Sequence, residues 1–298
     1  MIEIEAFIAI AQTGSFTAAA AQVFITQPAI SRRIELLERE LGAPLFERGR
    51  GGATLTDAGE VFHAYAQQAL ASLRDGSQAI DDLRDGKRGR VSLALVGTLT
   101  STRLTARIRA FREANPNIRL ALRTARSDEV SLLVQTGEAA IGLRYFPDPS
   151  PVIESQWVED EELCIVCASD SRIVPAGDLT AASLQGIPWV SFPIGAGSSG
   201  EAFTNLVRRQ LAAHQLDGAE IVAIDSLTAQ KRLIEADFGL GMLPKSSIEE
   251  ELRLDTLRVL SLPEMATMAP VYAIRRKGGY LSAAALGMLA MLLTPSNT

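Results

Sequence analysis

In T-Q-P-A-I-S-R-R-I-E-L-L-E-R, residues 26 to 39, four polar side chains stand ahead of an apolar stripe: Gln27, Ser31, Arg32 and Arg33. Their types suit contact with the edges of base pairs. A glutamine amide can meet adenine with two hydrogen bonds, an arginine fork can do the same with guanine, and a serine hydroxyl reaches a base or a phosphate. Pro28 and Ala29 add apolar groups of a size that suits a thymine methyl. Thr26 is placed to cap a helix, and Pro28 is tolerated in a first turn, where its missing donor costs little. Behind them Ile30, Ile34, Leu37 and Leu41 recur at steps of three and four, so this helix is expected to bury one face and present Gln27, Ser31, Arg32 and Arg33 outward.

Other residues with chemical potential carry less. Cys164 and Cys167 form a C-x-x-C, but they lie in L-C-I-V-C-A, a β-type run in which residues three apart face opposite sides. With no second cysteine pair or nearby histidine, neither a redox couple nor a zinc site is expected. His63 and His214 fall in helical patterns and are read as structural or surface residues.

The elements that must position these residues are set by the whole chain. Its 298 residues suit two or three domains, and 47% apolar with 21% charged residues is ordinary for a soluble globular protein. M-I-E-I-E-A-F has early carboxylates and no basic lead, so neither a secretory nor a transit signal is expected. The longest apolar segment, Leu281 to Leu293, is short of the ~20 residues a membrane span needs. A cytoplasmic location without membrane contact is therefore expected. The net charge of −6 argues against coating nucleic acid by bulk positive charge. Residues 1–60 hold five arginines, no lysine and eight carboxylates, a balance of −3. Positive charge is local, with Arg48 and Arg50 joining Arg32 and Arg33.

Along the chain, Ile4, Phe7, Ile8 and Ala11 mark a first helix ending at Gly14, Ser15 caps a second, and residues 26–39 form a third after a tight turn. That is a helix-turn-helix. P-L-F-E-R-G-R-G-G-A-T-L-T then reads as a hairpin wing tipped by Arg48 and Arg50. Asp57 and Glu60 have capping-box spacing, and a long helix to about Leu83 follows, with a seam of Phe62, Ala66, Ala69, Leu73, Gly76, Ile80 and Leu83 that wants a partner helix. D-G-K-R-G-R reads as a linker. From Val91 strands alternate with helices, which implies parallel sheets, and a second alternation begins near Leu163. The division expected is a winged helix-turn-helix at 1–58, a dimerising linker helix at 59–86, and an α/β region at 87–298 with lobe I at about 91–161 and 270–298 and lobe II at about 162–269.

The run F-I-A-I-A-Q-T-G-S-F-T-A-A-A-A-Q-V-F-I-T-Q-P-A-I-S-R-R-I-E-L-L-E-R-E-L-G-A-P-L-F-E-R, continuing to L-T-D-A-G, closely resembles the LysR-type transcriptional regulators. F-R-E-A-N-P and G-L-G-M-L-P extend the likeness more loosely. The resemblance implies an all-α winged helix-turn-helix with a linker helix, followed by a two-lobed α/β effector domain like periplasmic binding proteins. It further implies a homodimer through the linker helix, a homotetramer of two dimers, an interrupted palindrome as the DNA target, and RNA polymerase as a partner. On that reading Gln27, Pro28, Ser31, Arg32 and Arg33 face the major groove, while Arg48 and Arg50 meet phosphates or the minor groove.

A ligand of such a domain lies between the lobes, at the carboxyl ends of strands. Candidates there are Thr98, Thr100 and Ser101 in V-G-T-L-T-S-T-R, Ser198 and Ser199 in G-A-G-S-S-G-E, and Ser226 at a helix start. Arg126 and Arg144, each ending a strand, are the candidates for a carboxylate, Arg144 the better placed. No cofactor is expected; the effector expected is a small anion such as an organic or aromatic acid. Ala140 stands where the family commonly has an aspartate, so contacts that depend on that carboxylate do not transfer. An enzyme is disfavoured by the lack of G-x-S-x-G, P-loop, paired zinc histidines or dinucleotide fingerprint. A solute receptor leaves the first 60 residues unexplained, and a redox sensor would need Cys164 and Cys167.

Overall fold

The computed structural model describes residues 2–49, 52–85, 89–100, 102–193 and 202–294, leaving aside the side chains of residues 48, 85 and 102. It divides into two compact units. The first holds residues 1–84 with the short segments 135–138 and 278–280. It opens with α1 (Ile2–Thr13), α2 (Phe16–Gln22) and α3 (Gln27–Leu41). The hairpin β1 (Phe46–Gly49) and β2 (Gly52–Leu55) follows, paired antiparallel with Phe46 opposite Leu55, and then α4 (Asp57–Asp85).

Apolar periodicity explains the packing of this unit. Ile30, Ile34 and Leu37 are buried against Phe7, Ile10 and Ala19, and Phe7 lies 5.2 Å from Phe46 and 5.0 Å from Phe62, ring to ring. Leu41 departs from the expected stripe: it is exposed, because Gly42 takes the left-handed conformation (φ 70°) and ends the helix as the chain turns to the wing. The wing itself is pinned to the first turn, where Ala53 N–H donates to Gly14 O at 2.8 Å. A Cβ on Gly52 would stand 2.5 Å from that same oxygen. The α4 cap is Thr56 and not the expected Asp57–Glu60 box: Thr56 Oγ1 accepts from Gly59 N–H at 3.0 Å and donates to Pro44 O at 2.6 Å.

The seam of α4 splits in two. Phe62, Ala66 and Leu70 turn into the core of the helix-turn-helix, whereas Ala69, Leu73, Gly76, Ile80 and Leu83 stay exposed and continue a stripe that begins at Val61 and Tyr65. Leu83 is 85% exposed. Within the same unit Arg74 Nη1 donates to Thr136 O at 2.7 Å, and Tyr280 donates its hydroxyl to Asp82 at 2.9 Å.

The second unit holds the strand–helix alternation. Its elements are β3 (Arg90–Val96), α5 (Thr102–Ala114), β4 (Arg119–Ala125), α6 (Ser127–Gln135), β5 (Ile141–Tyr145) and β6 (Ile153–Ala168), then β7 (Trp189–Ser191), α7 (Ala202–Ala213), β8 (Ile221–Ala223) and α8 (Leu227–Glu235). It closes with β9 (Gly241–Pro244), α9 (Glu249–Arg253), β10 (Leu257–Val259), β11 (Thr267–Arg276) and α10 (Ala283–Leu293). Parallel pairing is present where expected, β3 with β4 and β5, and β7 with β8. The sheet as a whole is mixed, in the order β10-β6-β11-β5-β3-β4 with β9 also on β6. The reason is the length of β6 and β11, which run antiparallel to each other from Ile153–Arg276 to Leu163–Thr267 and so carry one sheet through both lobes. The β11 strand and α10 do return to lobe I: Arg107 on α5 donates to Leu292 O at 2.7 Å and pairs with Glu159 on β6 at 2.8 Å.

Candidate functional site

On α3, Gln27 and Pro28 occupy the first turn, with Thr26 at the cap position in extended conformation but with no side-chain cap bond. Gln27, Pro28 and Arg32 are exposed, Ala29 and Ser31 half-buried. Gln27 Nε2 donates to Ser31 Oγ at 3.0 Å, one turn along, so the amide is held against the helix axis with its carbonyl oxygen turned away from that bond. Arg32 has no hydrogen bond or ion pair among the described residues. Arg33 differs: its Nη1 is 2.8 Å from Glu3 Oε1 on α1, which places it as a tie between helices. Glu38, on the same helix, accepts from Leu45 and Phe46 N–H at 2.7 and 3.2 Å and so sets the angle between α3 and the wing. The Arg48 backbone sits opposite Ala53 in the wing, while the Arg48 side chain and Arg50 lie outside the described residues.

Pattern reading missed Phe24. It is 94% exposed at φ 57°, in the turn between α2 and α3. No signal in the sequence distinguishes it from a core aromatic, since its neighbours Val23 and Ile25 do pack inward.

In the second unit a cavity of about 390 Å³ opens at the carboxyl ends of the parallel strands. Lobe I contributes Val96, Gly97 and Thr98 after β3, Thr124 and Arg126 at the end of β4, and Glu129 on α6. Lobe II contributes Phe192 and Pro193 after β7, Phe203 on α7, and Asp225 and Leu227 after β8. The site is a crevice between lobes at strand ends, where side chains from separate strands converge. Its floor is aromatic: Phe203 lies 5.0 Å from Tyr145 and 6.3 Å from Phe192, ring to ring. Thr98 is 4% exposed, and its hydroxyl sits beside that of Tyr145, each the other's polar neighbour and neither bonding any other described group. Burial pushes the Tyr145 phenol well above its ordinary range, so it stays protonated and can donate.

Of the expected ligand residues, Thr98 and Arg126 line this cavity together. Arg126 is exposed and reaches Asp128 at 3.4 Å. Arg144, expected to be the better carboxylate partner, is not placed for it: it is buried, forms an ion pair with Asp148, and donates to Ser131 Oγ at 2.6 Å. Asp148 is 3% exposed at its side chain and sits on the turn four residues after Arg144, which internalises the arginine. Thr100 faces an adjoining cavity and donates to Gly97 O at 2.7 Å. Ser226 caps α8, accepting from Ala229 N–H at 3.4 Å. Ser101, Ser198 and Ser199 lie outside the described residues. Ala140 packs on the lobe I core while its N–H donates to Ser92 at 3.0 Å. The cysteines face opposite sides of β6: Cys164 joins the cluster with Val190 and Ile234, and Cys167 joins the main core. Burial raises both thiols, Cys164 to about 11, so neither is poised as a thiolate.

Known proteins share both units. Residues 2–60 match the model described as "Bacterial regulatory helix-turn-helix protein, lysR family", and residues 84–294 match "LysR substrate binding domain". A probable RuBisCO transcriptional regulator of Cyanidioschyzon merolae is 25% identical over 297 residues, covering 98% of this chain and 96% of the relative. The HTH-type transcriptional regulator IlvR of Caulobacter vibrioides is 30% identical over 244 residues, 80% of each chain. Among solved structures, CbnR, a LysR family transcriptional regulator, superposes with a TM-score of 0.64 at 23% identity, covering 98% of this chain and 97% of CbnR. Full-length CbnR has also been solved complexed with its target DNA (TM-score 0.56, 23% identity, 98% and 97% covered). The two matches fall on the helix-turn-helix and on the α/β unit in turn, and the chain belongs to the LysR family of DNA-binding transcriptional regulators.

Proposed function

We propose that the chain acts in the cytoplasm as a homodimer paired along α4, reads an interrupted palindrome with two copies of α3, and changes its DNA geometry when a small organic acid fills the inter-lobe cavity. Two sites and two global states are what allosteric control requires. The exposed stripe from Val61 to Leu83 on α4 supports the dimer, since such a stripe is stabilised by covering it with a like helix. Gln27, Ser31 and Arg32 supply the base contacts, with Pro28 and Ala29 against thymine methyls. Arg33 acts from its tie to Glu3, and Arg48 and Arg50 supply affinity at the wing. Assembly to a homotetramer and contact with RNA polymerase rest on family membership alone.

The observation that carries the ligand half is the buried Thr98 hydroxyl, with only the Tyr145 hydroxyl beside it, on the wall of a cavity that an exposed arginine, Arg126, also lines. The acid's carboxylate takes Arg126 and Thr98, and Arg144 keeps its structural pairing with Asp148. Protection of promoter DNA from cleavage tests this with a panel of small monocarboxylic acids. An acid that binds the chain should change the protected pattern in the wild type and leave Arg126→Ala unchanged. Acids that bind yet leave the wild-type pattern untouched would defeat the proposal.

A further inference from the structure

We infer that the cavity selects a zwitterion: a molecule with an α-amino-acid head and an apolar side chain. This rests on reading the cavity as the effector site and goes further by fixing the ligand's class. The two walls carry opposite charge. Arg126 stands at the end of β4 in lobe I, and Asp225 follows β8 in lobe II. The third charged group, Glu129, is engaged by Arg123 at 2.6 Å, whereas Asp225 has no ion pair or hydrogen bond among the described residues. Asp225 is therefore the lobe II charge open to a cationic group of the ligand.

Each simpler ligand leaves a mismatch. A dicarboxylate brings a second negative charge toward Asp225, a monoacid leaves Asp225 to water alone, and an amine lacking a carboxylate faces Arg126. A zwitterion satisfies both walls: its carboxylate lies on the Arg126 fork beside Asp128, and its ammonium donates to Asp225. Thr98, buried beside the protonated Tyr145 hydroxyl, donates its own to the same carboxylate. Phe192 and Phe203, edge to face, offer the surface for an apolar side chain. The cavity volume is at the small end of the range of ligand sites, which suits one amino acid. Because the charges belong to different lobes, such a ligand ties lobe I to lobe II through its own head group.

Titration calorimetry on the full chain tests this with six probes. They are L-leucine and L-phenylalanine, the oxo acids 4-methyl-2-oxopentanoate and phenylpyruvate, and the amines 3-methylbutylamine and phenethylamine. At least one amino acid should bind ten-fold or more tightly than both of its truncated partners. Asp225→Asn, on an exposed side chain, should erase the advantage over the oxo acid while the oxo acid's own affinity holds. Oxo acids that bind as well as amino acids, discrimination that survives in Asp225→Asn, or no binding by any probe would each overturn the inference. The underlying site is checked separately by Thr98→Val and Phe203→Ala. If both leave a measured affinity unchanged, the ligand is bound elsewhere and the cavity reading fails; if both weaken binding while oxo acids bind as well as amino acids, the cavity stands and only the zwitterion falls.

Discussion

On α3 the groups that face outward come from one short stretch, residues 27–33, carried on a helix whose rear is locked by Ile30, Ile34 and Leu37. The cavity draws instead on the ends of β3, β4, β7 and β8, brought together only when the long strands β6 and β11 join the lobes. The first surface is formed by one helix alone: Arg32 is exposed to water, and Gln27 is braced on Ser31. The second sets a buried Thr98 hydroxyl between charges of opposite sign drawn from two lobes, Arg126 and Asp225. A rigid surface suits a partner whose shape is fixed, such as a duplex. A surface assembled from two lobes can be changed by what binds between them, because only a differential contact shifts an equilibrium.

The difference can be strained most severely at the Arg144–Asp148 pair. Asp148→Ala leaves a buried guanidinium without its counter-charge, and the second unit should lose ~3–5 kcal/mol of stability. Thermal unfolding followed by calorimetry reads this directly. A loss under ~1 kcal/mol would return Arg144 to the pool of ligand-facing residues. Next in size is Ile80→Asp on the exposed face of α4, which should weaken the dimer by about 2 kcal/mol or more in sedimentation equilibrium, with the second unit's melting unchanged.

Smaller effects separate the units by pH. Burial raises the Glu161 carboxyl in the second unit, so its contribution is present below the ordinary carboxylate range and is lost as pH rises through the raised value. Burial lowers the His63 imidazole in the first unit, so stability is full above the ordinary histidine value and declines as pH falls below it. Melting temperatures between pH 5 and 8 should show Glu161→Gln gaining on the wild type as pH rises and His63→Gln gaining as pH falls. Slopes of the same sign would refute the assignment. Smallest of all, Cys164→Ser and Cys167→Ser should leave DNA binding unchanged before and after mild peroxide, since neither thiol is exposed or acidic.

Legibility follows the same division. The three short helices and the wing rest on contacts close in sequence, so Ser15, Pro28 and the step of Ile30, Ile34 and Leu37 suffice to place them. On α4 the heptad was visible but its facing was not, because Phe62 and Ala66 are claimed by the helix-turn-helix core and only the stripe through Leu73 and Ile80 is left for a partner. Glu154 to Glu162 masks most of β6: its carboxylates break the apolar alternation of a strand, and Arg107, Lys245 and Arg275 pair with Glu159, Glu162 and Glu154 only in the fold. Phe192, Phe203 and Thr124 were not legible as a site at all, since nothing local marks side chains that meet only through tertiary packing. Arg144 misled for a local reason, its counter-ion lying four residues on, past a turn that pattern reading left undescribed.

The most direct measurement is selection of binding sites from randomised duplex DNA by the full chain, the Arg32→Ala variant and the Arg33→Ala variant at one salt concentration. Base reading by α3 predicts that the wild type enriches an inverted repeat with a gap. Arg32→Ala should lose discrimination at one symmetric position per half-site, at a cost of ~1–3 kcal/mol on the selected sequence, and Arg33→Ala, tied to Glu3, should lose less. An unchanged enriched sequence with Arg32→Ala, bound more weakly on selected and random DNA alike, would show that this arginine supplies only charge and would contradict the reading.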